Sequence, residues 1–145
     1  MKWWHRPLRI SAVQCSYGED SFDILKNTVI PRAFNTEQLF HLTAEGHMSF
    51  YEEKLHGKKL DEYLVEAHKN NINEIIYINV HCFAKKYKDL YPEWVQLDKE
   101  GNELKAYDTY YFNCINGGWL EYFLENLKGL CQHDIDGIFL DGPVI

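Results

Sequence analysis

Apolar residues recur along this chain in two rhythms, one of period two and one of period near 3.6, and the two alternate. Leu8 to Gln14 (LRISAVQ) predicts a first strand, with Tyr17-Gly18-Glu19-Asp20 as the loop after it. Ser21 to Val29 carries Phe22, Ile24, Leu25 and Val29 at helical spacing and is closed by Ile30-Pro31. Leu39 to Ala44 (LFHLTA) predicts a second strand, with Glu45-Gly46-His47-Met48 as its exit loop. Leu60 to Asn70 sets Leu60, Tyr63, Leu64 and Ala67 on one helical stripe, acidic residues early and Lys69 late, a polarity that complements the helix dipole. Glu74 to His81 (EIIYINVH) predicts a third strand. A long excursion, Cys82 to Asn116, follows; loops of that length inside a compact domain are usually functional. Trp119 to Cys131 predicts a third helix with Asn116 as its N-cap, and Asp136-Gly137 leads into a fourth strand that stops at Asp141-Gly142-Pro143.

The order β-α-β-α-β-α-β implies a parallel sheet with crossover helices. Order alone does not separate a barrel from an open doubly wound sheet, but the faces of the strands do. Tyr77, Asn79 and His81 share one face of the third strand, opposite Ile76, Ile78 and Val80; in the second, His41, Thr43 and Glu45 oppose Phe40, Leu42 and Ala44. An apolar face suits helix packing, and a face that turns polar towards the strand end suits a barrel opening onto a cleft. An open sheet covered on both sides would give near-continuous apolar strands. The expectation is an α/β fold, a parallel β/α barrel of TIM type. A whole barrel takes roughly 250 residues. The 145 residues here stop just past the fourth strand, so residues 1–145 are expected to form the N-terminal half.

Composition narrows the function. Hydrophobic residues make up 46% and charged residues 26%, a globular balance. The formal net charge of −7, with no basic run, argues against nucleic acid and anionic membranes as partners. No apolar stretch approaches a membrane span and the N-terminus lacks a secretory pattern, so the expected location is cytoplasmic. Cys15, Cys82, Cys114 and Cys131 show neither zinc-ligand spacing nor a CxxC pair and read as structural thiols. No GxGxxG or GxxxxGK[ST] loop is present, so no nucleotide cofactor is implied. Aromatic residues reach 15%, and their rings either fill a core or stack on sugars.

Reactive groups of parallel barrels sit where strands end. Asp141, on the cleft side in phase with Phe139, is therefore the candidate nucleophile; the alternative is a cap for the following segment. Asp136 precedes the strand and belongs to the opposite face. His81 and Asn79 end the third strand and are candidate hydrogen-bonding partners of sugar hydroxyls, with a polar layer inside the barrel as the alternative for Asn79. Gln14 ends the first strand and Trp94 lies on the excursion, as a stacking platform or a loop anchor. Asn113 reads as a loop organiser. A metal set of His41, His47, His81 and Asp141 is a further alternative, without an HxH pair on the first strand to support it.

LTAEGHMSF (Leu42 to Phe50) and DGIFLDG (Asp136 to Gly142) resemble segments of α-L-fucosidases. They are closer to hypothetical glycosyl hydrolases related to that barrel superfamily, as are YPEWVQLDKEG (Tyr91 to Gly101) and FNCIN (Phe112 to Asn116). The resemblance covers nearly the whole chain. It implies a retaining glycosidase fold whose fourth-strand aspartate, here Asp141, attacks the anomeric carbon. The fucosidase second-strand motif reads LTAKHHDGF; His47 and Phe50 match it, whereas Glu45, Gly46, Met48 and Ser49 depart from it. The resemblance thus implies a sugar contact at His47 without fucose specificity. Retention also needs a second carboxyl about 5–5.5 Å from the first, which the family supplies from the later half of the barrel. The half-barrel is expected to be inactive alone and to associate with another half or continue into a longer chain, because its outer strands present unpaired edges. A non-catalytic carbohydrate-binding or self-assembling module is the alternative.

Overall fold

The computed structural model describes residues 2–12, 20–40 and 53–142. Four parallel strands form one sheet in the order β1 (Ile10–Ser11), β2 (Thr36–Leu39), β3 (Asn73–Asn79) and β7 (Gly137–Asp141). Between them run α1 (Ser21–Ile24, continued by a π turn over Leu25–Val29), α2 (Glu53–Lys69) and α4 (Trp119–Leu130). The predicted alternation is present, and the sheet is parallel throughout. Among the described residues no helix is long and apolar enough to cross a membrane.

Local chemistry sets the helix ends. The Asp20 carboxylate accepts the Phe22 amide at 2.8 Å and caps α1. α2 closes on Asn71 at φ 59°, the left-handed position that asparagine tolerates, with the Ile72 amide donating back to the Ala67 carbonyl. Its last turn carries His68 and Lys69, as the dipole favours. α4 begins at Trp119 with Gly118 in the cap position and no side-chain cap, so Asn116 does not fill the capping role expected of it.

The core lies between the sheet and the helices. Leu39, Ile76 and Ile78 project from the strands onto Leu60, Tyr63, Leu64 and Ala67 of α2, with Leu25, Val29 and Leu130 completing the cluster. Each side chain of this kind contributes about 1.5–3 kcal/mol when fully buried. The faces of β3 are as predicted: Ile76 and Ile78 meet the helices, while Tyr77 and Asn79 point the other way. Those of β2 are not. The strand starts three residues earlier than predicted, at Thr36, and Phe40 lies on the Tyr77 side, its ring 4.3 Å from that of Tyr77. His41 to Phe50 lie outside the described residues.

The excursion after β3 is not a structureless loop. Strands β4 (Cys82–Phe83), β5 (Lys105–Ala106) and β6 (Tyr110–Phe112) form an antiparallel sheet in the order β4-β6-β5, with α3 (Lys85–Leu90) and a 3-10 turn, Pro92–Trp94, packed beside it. Phe83, Tyr87, Trp94, Val95, Tyr111 and Trp119 make its own aromatic core.

One feature of the main core runs against its apolar character. Glu37 and Glu74 are register partners on β2 and β3, share the helix-facing side and are both fully buried. The Tyr63 hydroxyl of α2 donates to Glu37 at 2.6 Å. Asp136, at the entry to β7, accepts the Glu74 amide at 2.9 Å and pairs with His68 Nε2 at 2.9 Å. Asp136 therefore works at the end of the sheet opposite to Asp141, as its sequence position implied. Burial first, then the neighbouring Glu37 and Asp136 carboxylates, push the Glu74 carboxyl well above the ordinary value of 4.5. The folded protein accordingly keeps a proton on this pair that the unfolded chain has released. Stability is fullest below the ordinary glutamate value and falls as pH rises through the window up to the raised one, by about 1.4 kcal/mol per pH unit for one proton. Glu74→Gln removes that slope: urea denaturation at a series of pH values from about 5 to 8 should show the variant gaining on the parent as pH rises. A parallel pair of curves would refute the protonated-pair assignment.

Candidate functional site

Asp141 is the last residue of β7 and the register partner of Asn79, the last residue of β3. Both strands deliver their C-terminal ends to the same place, and the antiparallel sheet hangs from that end. Tyr77, two residues back on β3, sends its hydroxyl to Asp141 Oδ2 at 2.5 Å. Its ring lies between those of Phe40, at 4.3 Å and 28°, and Phe139, at 6.0 Å and 18°. This three-ring stack spans three neighbouring strands and fixes the direction in which the phenol points. Burial, and then the hydrogen bond to Asp141, raise the Tyr77 phenol well above its ordinary value. It is a permanent donor at neutral pH and holds Oδ2 of the carboxylate it faces in place. Sequence reasoning placed Tyr77 on the correct face but did not nominate it; the available signal was its phase with Asn79, two residues on.

His81 stands beside Asp141 through the backbone. Its Nδ1 lies 3.3 Å from the Asp141 carbonyl, the same oxygen that accepts the Val80 amide at 3.1 Å, and its ring is 6.2 Å from Phe112. Gly142 makes this approach feasible. It has φ 69°, and a Cβ there would overlap the His81 ring.

Asn79 has a different place from that expected of a ligand contact. It is fully buried, its Nδ2 donates to the Cys82 carbonyl at 2.7 Å, and its Oδ1 accepts the His81 and Cys82 amides at 3.0 and 3.3 Å. The side chain is a bracket for the turn out of β3, the place a polar layer inside the sheet would give it. Trp94 is only 4% exposed and stacks on Tyr91 at 4.0 Å and 13° inside the aromatic core, the placement that the loop-anchor alternative describes. Asn113 organises the excursion as expected, donating from Nδ2 to the Val80 carbonyl at 3.0 Å while its amide donates to His81 O at 3.0 Å. His47, Gln14, Glu45 and His41 lie outside the described residues. Among the described residues no three His, Cys, Asp or Glu side chains gather as a metal site. Cys82 is a buried thiol that burial pushes up, out of the range of a reactive thiolate.

The arrangement of strands and helices is shared with known proteins. An α-L-fucosidase isoenzyme from Paenibacillus thiaminolyticus superimposes with a TM-score of 0.70 at 21% identity, over 93% of this chain and 23% of that one. A maltogenic α-amylase from Thermotoga neapolitana matches with a TM-score of 0.65 at 19% identity, over 100% of this chain and 41% of that one. The galactosidase domain of an α-galactosidase-sucrose kinase gives 0.56 at 15% identity, over 92% and 20%. All three are glycoside hydrolases, and the α-L-fucosidase likeness expected from the sequence motifs is met in the fold. At these identities the likeness is one of fold, and the chain spans between a fifth and two-fifths of the length of these proteins. No protein-family model and no curated protein sequence matches the chain.

The bracket role of Asn79 has a measurable consequence. Asn79→Ala strips one backbone carbonyl and two backbone amides of their buried partner, at a cost of roughly 2–3 kcal/mol in chemical denaturation. A loss below about half a kcal/mol, the range of an ordinary surface substitution, would contradict the role.

Proposed function

We propose that the chain is the N-terminal half of a glycoside-hydrolase-like β/α barrel in which Asp141 is the nucleophile of a retaining glycosidase. The observation that carries this reading is the Asp141 carboxylate at a parallel strand end, gripped through Oδ2 by the buried Tyr77 phenol, in a fold shared with three glycoside hydrolases. A nucleophilic carboxylate must be ionised, oriented and approachable. Tyr77 orients the carboxylate through Oδ2 and leaves the second oxygen to attack the anomeric carbon. His81, His47 and Gln14 are the proposed sugar contacts, and Asn79 and Trp94 hold the scaffold. The acid/base carboxyl comes from the remaining part of the barrel, so the reaction needs the complete protein and residues 1–145 alone turn over nothing.

The sheet edge favours the same architecture. Among the described residues β7 pairs only with β3, and its Phe139 and Leu140 are 44% and 46% exposed. Apolar side chains on an unpaired strand are a pairing surface. A self-assembling, non-catalytic carbohydrate-binding half-barrel is the second reading that this edge favours.

Asp141→Asn in the complete reading frame separates the two. Hydrolysis of aryl glycosides should fall by about three orders of magnitude or more, with sugar binding kept. Tyr77→Phe should lower kcat by about tenfold to a hundredfold with KM little changed, as expected for a group that orients the nucleophile. Parent protein without turnover on any aryl glycoside, yet binding sugars, would favour the binding module.

A further inference from the structure

The tight hairpin joining β5 to β6 calls for positive φ in its turn, where glycine, asparagine and aspartate are the usual occupants. Tyr107 and Asp108 stand at φ 53° and 62°, both left-handed. Aspartate accepts that region through local hydrogen bonding, but a tyrosine there is uncommon and strained. The Thr109 hydroxyl donates to the Tyr107 carbonyl at 3.2 Å and helps fix the turn. Burial of the ring does not repay the strain. Tyr107 is 73% exposed, the most exposed large hydrophobic side chain among the described residues. Strained backbone that presents a side chain to solvent is a recurrent property of ligand-facing positions.

Its location is defined by a short chain of contacts. Ala106, the preceding residue, is buried in a small cluster with Cys82. The Cys82 carbonyl accepts the Asn79 amide at 2.7 Å, and Asn79 is the register partner of Asp141. The hairpin tip therefore hangs at the strand end that carries the candidate nucleophile.

We propose that Tyr107 is an aromatic platform for a carbohydrate ring bound at Asp141. This rests on the glycoside reading of the Asp141 site and adds to it a specificity-determining residue. One face of a pyranose is lined by C–H groups and packs on an aromatic face, while the phenol oxygen remains available to a ring hydroxyl. Tyrosine supplies this contact with few rotamers to freeze, and the rigid turn orients it before the sugar arrives. Trp94, for which the sequence left platform and loop anchor open, is packed inside the excursion.

The test is ligand-observed NMR and calorimetry on the full-length protein carrying Asp141→Asn, with methyl α-L-fucoside, maltose and methyl α-D-galactoside as probes. Tyr107→Asn, which suits the left-handed position, should raise Tm and weaken the bound sugar about tenfold, a loss of one aromatic contact. Tyr107→Phe should keep affinity within about threefold. Unchanged affinity in Tyr107→Asn would overturn the platform and leave the carbohydrate site standing. An equal loss in Tyr107→Phe would assign the effect to the hydroxyl and overturn stacking. No binding of any probe by the parent would remove the carbohydrate reading of the site, and the platform with it.

Discussion

The pairing of β3 with β7 is the constraint on which the rest of this structure depends. Its five register pairs run from Ile75 opposite Gly137 to Asn79 opposite Asp141. A slip of one residue would turn every side chain of β7 to the other face. Phe139 would leave the Tyr77 ring, Asp141 would leave the Tyr77 hydroxyl, and Ile138 would leave the helix-side core. Register is thus fixed by an apolar demand on one face and an aromatic stack on the other. The carboxylate takes its position as a by-product of both.

The two ends of this strand pair use polar burial in different ways. At the N-terminal end Asp136 serves structure: it holds the Glu74 amide and the His68 ring, close to a glutamate pair that folding forces to keep a proton. Such a pair is tolerated because a proton removes one of its charges and the Tyr63 hydroxyl donates to Glu37. At the C-terminal end the backbone is satisfied by Asn79 and Asn113, so the Asp141 side chain is not needed to close any turn. A carboxylate relieved of structural duty, with one oxygen oriented by a buried phenol, is free to engage a ligand. Asp136 and Asp141 thus stand at the two ends of β7, Asp136 in structural contacts at its entry and Asp141 at its last residue.

Legibility in the sequence followed element length. The seven residues of β3 gave enough alternation to place Tyr77 and Asn79 on one face and Ile76 and Ile78 on the other, and the Asp141 phase followed from Phe139. The strand β2 was displaced because Thr36-Glu37-Gln38 looks solvent-facing, although Thr36 and Glu37 are fully buried; LFHLTA offered a stronger apolar signal three residues on. That displacement put Phe40 on the wrong face and hid the ring stack. The strands of the excursion, two and three residues long, are shorter than any period can reveal. Burial likewise decided Asn79 and Trp94, whose side chains look equally suited to a ligand or to a scaffold until their partners are known.

The excursion is fastened to the strand end that carries Asp141. β4 continues directly from the end of β3, and Asn113 ties β6 back to Val80 and His81, so the small antiparallel sheet cannot tilt away from Asp141 without breaking the bracket that shapes the β3 exit. Its aromatic core, built on Phe83, Trp94 and Trp119, rests against the start of α4 and makes the sheet rigid. Rigidity here has a cost, the left-handed backbone at Tyr107, which a flexible loop would relax. The tip is held through the same contacts that shape the β3 exit, since Ala106 packs with Cys82 and the Cys82 carbonyl accepts the Asn79 side chain.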